Sequence, residues 1–275
     1  MRHPDARSLW IRLFLPFAAG YFLSYLYRTA NAVIGPVLAR ELNLGDNALG
    51  LLTSTYFLAF GAAQLPLGML LDRFGPRRVE AGLLVIAAAG AAVFALSDAL
   101  GGLALGRALI GLGVSACLMA SFKAFAQWFP IERQASLTGW VMASGGLGAL
   151  AASKPLEWAL GFATWREIAF GLALATLAVA ATLWLVAPDK QAEESGSGFA
   201  AQIAGVKSIF SSPHFWRYAP MGFWFTGGFM AVQGLWVARW MTVMEGLDGA
   251  AIAARLTWMS GAMLAGFLFM GFFAT

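Results

Sequence analysis

The chain has one cysteine and two histidines in 275 residues, and only 12% of its side chains are charged. A lone thiol, Cys117, closes no intramolecular disulfide and supports no multi-cysteine metal site. It falls in an apolar run and reads as a small buried hydrophobe. Both histidines, His3 and His214, fall outside the apolar runs, and the carboxylates are scattered through loops. Nucleophile, acid–base and metal-binding groups are nowhere gathered, so the chain does not read as an enzyme, and no cofactor or metal is expected. The shortage of charge excludes more. Soluble domains carry about 25% charged and about 45–50% apolar residues, whereas this chain is 60% apolar with a mean hydropathy of +0.71. Too little polar surface remains to wet a core. The net charge of +4 sits near the ends of apolar segments, a pattern that suits lipid headgroups. Nucleic acid would need a dense basic face, which is missing. A small-residue cleavage site is missing too, so the basic start and the run after it read as a first membrane helix.

Apolar length is what the sequence has in quantity. Eight runs approach the roughly 20 residues that cross a bilayer, near 9–33, 49–71, 79–96, 100–121, 135–155, 166–186, 217–240 and 251–274. The third is short and needs its flanks. Period-2 alternation is absent, which removes a β-barrel. The expected fold class is all-α, a polytopic membrane protein. Connections are short except 188–213, which opens Pro188-Asp-Lys-Gln-Ala-Glu-Glu-Ser-Gly-Ser-Gly and reads as a hydrophilic linker. Within it, 202–210 fits a short amphipathic helix at the membrane surface. Three parts follow: a six-helix bundle over 1–187, the linker over 188–213, and two helices of an incomplete second bundle over 214–275.

Lys and Arg set the orientation. With the N-terminus inside, inner regions hold eleven basic residues: Arg2, Arg7, Arg12, Arg73, Arg77, Arg78, Lys123, Arg133, Lys190, Lys207 and Arg217. Outer regions hold five: Arg40, Arg107, Arg166, Arg239 and Arg255. The N-terminus and the linker are therefore expected in the cytoplasm, and the chain in the cell (inner) membrane.

Between the second and third runs stands Gly68-Met-Leu-Leu-Asp72-Arg73-Phe-Gly75-Pro76-Arg77-Arg78. Gly75 with Pro76 allows a tight turn. Asp72, at a helix C-terminus, needs a cation to offset the helix dipole, and Arg73, Arg77 and Arg78 are within reach. A headgroup-binding basic anchor is the plainer alternative for the set. The fourth run carries Arg107-Ala-Leu-Ile-Gly111-Leu-Gly113. The first motif closely resembles the loop signature of the major facilitator superfamily, and the second is similar to that family's helix-four motif. Six helices, a linker and further helices also match its organisation. The resemblance implies a secondary active transporter working by alternating access, with Gly68 to Arg78 as a charge-relay latch at the inner gate. It also associates Arg107 with proton coupling; an outer anchor, with Gly106, Gly111 and Gly113 serving close packing, is the equal alternative. Family members have two six-helix halves, so this chain is expected to be part of a longer one, a complete eight-helix protein being the alternative.

Deep polar groups supply the site candidates, because charge at membrane depth faces a cavity or a partner. Arg28 leads, well inside the first run. Ser24, Arg28 and Asn31 share a helical face, with Tyr21 and Tyr25 beside it. A guanidinium fork there suits an anionic or carboxylate-bearing small solute, while an internal salt bridge or a snorkelling anchor is the alternative. Tyr56 and Gln64 share the second run, Gln64 as cavity lining or as a cap for carbonyls freed by Pro66. Gln233 is the mid-depth polar group of the seventh run, with Trp224 and Trp236 as walls. Lys154 and Glu157 are spaced to pair. Protons are an open second partner, but Glu157 and Glu167 lie near run ends and no mid-membrane carboxylate stands out. The fifth run, Gly139-Trp-Val-Met-Ala-Ser-Gly145-Gly146-Leu-Gly148, lacks the Gly-Pro step of the family's antiporters, which leaves the solute open. The chain is expected to act as a monomer in the lipid bilayer, and a transport-inactive scaffold or sensor of the same fold is the rival reading.

Overall fold

In lipid, an unpaired backbone amide or carbonyl costs several kcal/mol, so apolar runs resolve as helices that satisfy their own backbones. The computed structural model describes residues 6–190 and 199–273, and among these every regular element is a helix. Arg2, His3, residues 191–198 of the polar stretch and Thr275 lie outside the described residues.

A turn at Ala6–Leu9 and a π-turn at Trp10–Phe14 lead into α1 (Leu15–Glu41). Next come α2 (Asp46–Phe74) and α3 (Pro76–Leu96). The fourth run is two helices, α4 (Leu100–Gly113) and α5 (Cys117–Trp128). After a short 3-10 turn follow α6 (Gln134–Ala151), the short α7 (Lys154–Ala159) and α8 (Trp165–Val186). Then come α9 (Phe199–Phe210), α10 (Pro213–Ala231), a π-turn at Val232–Trp236, α11 (Val237–Glu245) and α12 (Gly249–Phe273).

Among the described residues, six segments are long and apolar enough to cross a membrane: Asp46–Phe74, Pro76–Leu96, Leu100–Trp128, Ile131–Ala159, Trp165–Val186 and Gly249–Phe273. The expected first run falls short in apolarity because Arg28, Asn31 and three tyrosines dilute it, although α1 has 27 residues. It also passes through Pro36 and ends at Glu41, eight residues beyond the expected edge. The seventh run is broken by the π-turn.

Local chemistry explains the boundaries. Gly75, at φ 79°, ends α2 in a conformation suited to glycine, and Pro76 starts α3 at the position where a missing amide hydrogen is not needed. Thr164 and Glu167 form a reciprocal capping box at the start of α8.

α1 lies in the middle of the bundle, with 18 of its residues buried against α2, α5, α6 and α8. Helix α12 packs along α6. The Ser136 hydroxyl donates to the Gly271 carbonyl at 3.1 Å near one end, and Thr257 donates to Ser153 at 3.1 Å near the other. The outer faces stay apolar and uncovered: Leu185 on α8 and Trp258 on α12 are 78% and 81% exposed, which only lipid or further protein can match.

The two ends of the bundle are tied differently. At the loop end, Asp72 pairs with Lys123 of α5. This corrects the expectation that the loop arginines answer it. Arg77 instead donates to the Ala187 carbonyl at 3.0 Å, Arg78 pairs with Asp189 at 3.0 Å, and Lys190 donates to the Gln127 carbonyl at 2.6 Å. At the far end, Trp165 donates to Glu41 at 2.7 Å and Arg166 pairs with Asp98 at 2.6 Å. The expected Lys154–Glu157 pair forms at 2.7 Å.

Candidate functional site

Three helices bring two buried arginines around one tyrosine. Tyr56 on α2 is fully buried, and the Arg107 guanidinium of α4 lies over its ring at 4.7 Å. Gly111, one turn along from Arg107, makes this approach possible, since a Cβ there would fall 2.2 Å from the Tyr56 carbonyl oxygen. Arg107 donates to the carbonyls of Leu52 at 3.4 Å and Tyr27 at 3.2 Å, and its Nη2 has no partner. With Asn31 it lines a small void of about 30 Å³, room for a water.

Arg28 reaches the same tyrosine from α1. Its guanidinium is held between the rings of Tyr25, at 4.6 Å, and Phe60, at 5.1 Å. Such contacts stabilise a cation without using its hydrogen-bond donors. Arg28 is buried, its Nε has no partner, and among the described residues no carboxylate pairs with it. The Tyr56 hydroxyl is also buried without a partner. A buried cation whose Nε lacks a partner, beside a buried tyrosine hydroxyl, is arranged to accept an anion. Of the alternatives for Arg28, the internal salt bridge is absent from the described residues.

Its neighbours on the polar stripe are otherwise engaged. Asn31 donates to Thr53 of α2 at 2.8 Å, and Ser24 donates to the Val114 carbonyl at 3.3 Å. Gln64 donates to the Ser115 carbonyl at 3.2 Å. Ser24 and Gln64 thus cap carbonyls freed where α4 breaks from α5, not a carbonyl freed by Pro66. Gln233, in the π-turn, faces Met263 of α12 at 3.7 Å, while Trp224 is 75% exposed. Gly68 lies on an open face of α2, Arg73 stacks near Phe74, and Asp72, Gly75, Arg77 and Arg78 cluster at the loop end as described above. Arg28, Tyr25, Tyr56 and Arg107 therefore come together, and Asn31, Gln64 and Gln233 hold helices to one another.

A large cavity of about 1210 Å³ opens at the far end, between α1, α2, the start of α8 and α11–α12. Its wall includes Ala32, one turn along α1 from Arg28, and charged residues Arg40, Glu41, Asp46 and Arg239. Asp46 and Arg239 pair across it at 2.9 Å.

Sequence reasoning missed one group. Glu80, near the start of α3, is fully buried, and neither of its oxygens has a hydrogen-bond partner. It stands at the very edge of the run near 79–96, next to Arg77 and Arg78, where a charge needs no buried partner. The signal was its helical register with the buried Leu84, Ala87 and Ala91, spacings of four, seven and eleven that mark the core-facing stripe.

A family profile described as Major Facilitator Superfamily matches residues 17–275. The Hexuronate transporter of Escherichia coli (strain K12) is 29% identical over 167 residues, 61% of this chain and 38% of that protein. The Galacturonate transporter of Dickeya chrysanthemi is 28% identical over 166 residues, 60% of this chain and 48% of its own length. The chain thus spans under half of these curated relatives. Among solved structures, a bacterial homologue of the human lysosomal transporter Spinster, inward-facing and unoccupied, aligns with a TM-score of 0.69 at 18% identity. That alignment covers 92% of this chain and 59% of that one.

Proposed function

Since this chain belongs to the major facilitator superfamily, we propose that it forms the solute-binding half of a secondary active transporter for a small carboxylate-bearing solute of the sugar-acid class. The reading is carried by one observation: Arg28 is a buried cation whose Nε has no hydrogen-bond partner and which pairs with no carboxylate among the described residues. A solute carboxylate would supply the missing charge and take two parallel hydrogen bonds from the guanidinium. Tyr25 and Phe60 keep the fork from collapsing onto backbone, and Arg107 holds Tyr56 so that its hydroxyl can reach the same solute. Two relatives are transporters of hexuronate and galacturonate, which are anionic sugar acids, and they lend the class support.

The mechanism is alternating access around this mid-depth site, by rocking of the bundle against a second one that α10–α12 begin. The Asp72–Lys123 pair and the Arg78–Asp189 pair hold the loop end closed in one state and part in the other. The loop end faces the cytoplasm, and residues 188–213 link the two bundles there.

The test is uptake of labelled galacturonate, glucuronate and galactonate into proteoliposomes bearing the intact protein, with neutral galactose as control. Removing one partner of a buried, hydrogen-bonded charge pair costs about 2–5 kcal/mol. Arg28→Ala should therefore weaken half-saturation by at least about thirtyfold, and Arg28→Lys should only partly restore it. Equal uptake by wild type and a folded Arg28→Ala protein would sink the assignment.

A further inference from the structure

Arg28 stands in a clamp of two rings, and each ring has its own support. Phe60 stacks on Tyr56, with centroids 6.3 Å apart, and Arg107 lies over Tyr56 in turn. Tyr25 is supported from elsewhere. It meets Tyr21, one turn earlier on α1, edge to face at 5.2 Å, and both rings rest on the buried Gly145 of α6. A Cβ at position 145 would fall 2.6 Å from Tyr21 Cε1 and 2.8 Å from Tyr25 Cδ2. Carbon atoms pack best at about 3.5–4.0 Å, so a methyl there must displace a ring. The neighbouring turns of α6 complete the platform. One turn before, the Tyr21 hydroxyl donates to the Met142 sulfur at 3.5 Å. Just beyond, a Cβ on Gly148 would fall 2.1 Å from the Phe22 carbonyl oxygen, so the two helix backbones touch beside the rings. The glycines of the fifth run, which lack the antiporter step, thus seat two tyrosines of α1.

We propose that Gly145 is a positioning residue for solute binding: it seats the Tyr25 ring against the Arg28 guanidinium and so sets the affinity for the solute carboxylate. This rests on the anion-carrier reading above and adds α6 to its site. An arginine on its long stem loses rotamer freedom when it grips a carboxylate. Rings fixed on both faces of the guanidinium remove much of that freedom before the solute arrives, which preorganises the fork. Only a residue without a side chain leaves Tyr25 where it can do this, at 4.6 Å from the guanidinium carbon. A Tyr25 ring pushed aside opens one face of Arg28, and the fork is then free to turn away. Losing a cation–π contact that is shielded from water weakens binding by roughly tenfold or more.

Two measurements test it. The first is binding of labelled galacturonate to the purified intact protein, together with its counterflow in proteoliposomes. Gly145→Ala should raise the dissociation constant by about tenfold or more, and the saturated counterflow rate should fall by less than the affinity. Tyr25→Phe keeps the ring and should bind within about threefold of wild type, whereas Tyr25→Leu should weaken binding as Gly145→Ala does. Because both changes act through one ring, adding Gly145→Ala to Tyr25→Leu should weaken binding by no more than about a further twofold. The second measurement needs no solute. In a thermal-stability cycle in detergent, Gly145→Ala should lower the midpoint less in the Tyr25→Leu background than in wild type. An unchanged dissociation constant in a folded Gly145→Ala protein, additive effects in either cycle, or a saturated rate that falls while affinity holds would each overturn the proposal. A wild type that binds no sugar acid would sink the carrier reading instead, and the stability cycle would still decide whether Gly145 seats Tyr25.

Discussion

At position 20 a glycine is required by what faces it, a carboxyl group projecting from another helix. Gly20→Ala would drive a methyl into Glu80 Oε1, and overpacking of this kind costs about 1–3 kcal/mol. Because the obstacle is the end of a flexible side chain, removing it should relieve the strain. In a thermal-stability cycle in detergent, Gly20→Ala should lower the midpoint in wild type and cost markedly less in a Glu80→Ala background. Additive effects would show that the two residues do not press on each other. The same pair shows what a residue list conceals. Arg28 was legible because an arginine stands out in a long apolar run. Glu80 was not, since it lies four residues inside a helix whose start is crowded with arginines. Asp72 needed a cation on dipole grounds, but its partner comes from 51 residues away and no local spacing points to it.

The helices were legible as elements because lipid leaves a long apolar run no other choice, and their edges were not. Pro36 reads as a stop, yet α1 continues past it, and the π-turn in the seventh run has no sequence marker that separates it from ordinary helix. Between α4 and α5 the glycines at 111 and 113 foreshadowed close packing, whereas the break itself depends on side chains from two other helices. Ser24 donates to the Val114 carbonyl, which otherwise accepts only a long bond of 3.4 Å from the Cys117 amide, and Gln64 donates to the Ser115 carbonyl. Gln64→Leu keeps the volume and deletes the donor. It should lower stability by about 0.6–2 kcal/mol, the range for buried polar contacts between membrane helices, as measured by equilibrium unfolding in mixed micelles. An unchanged unfolding curve for Gln64→Leu would mean that water caps the break unaided.

For the molecule as a whole, the basic bias predicts which end meets the cytoplasm, and the chain is suited to showing it. Its single cysteine is buried, so a new exposed thiol reports with little background. Asp98→Cys, at the far end, should react with a membrane-impermeant maleimide in intact cells. Arg78→Cys, at the loop end, should react only after permeabilisation. The reverse pattern would invert the orientation and place the latch outside. The ties at the loop end carry a last consequence, for biogenesis. Arg77, Arg78 and Gln127 find their partners at Ala187, Asp189 and Lys190, immediately after α8. A nascent chain therefore holds every group of this clasp once residue 190 has left the ribosome, and its earlier helices can lock before α10 is made.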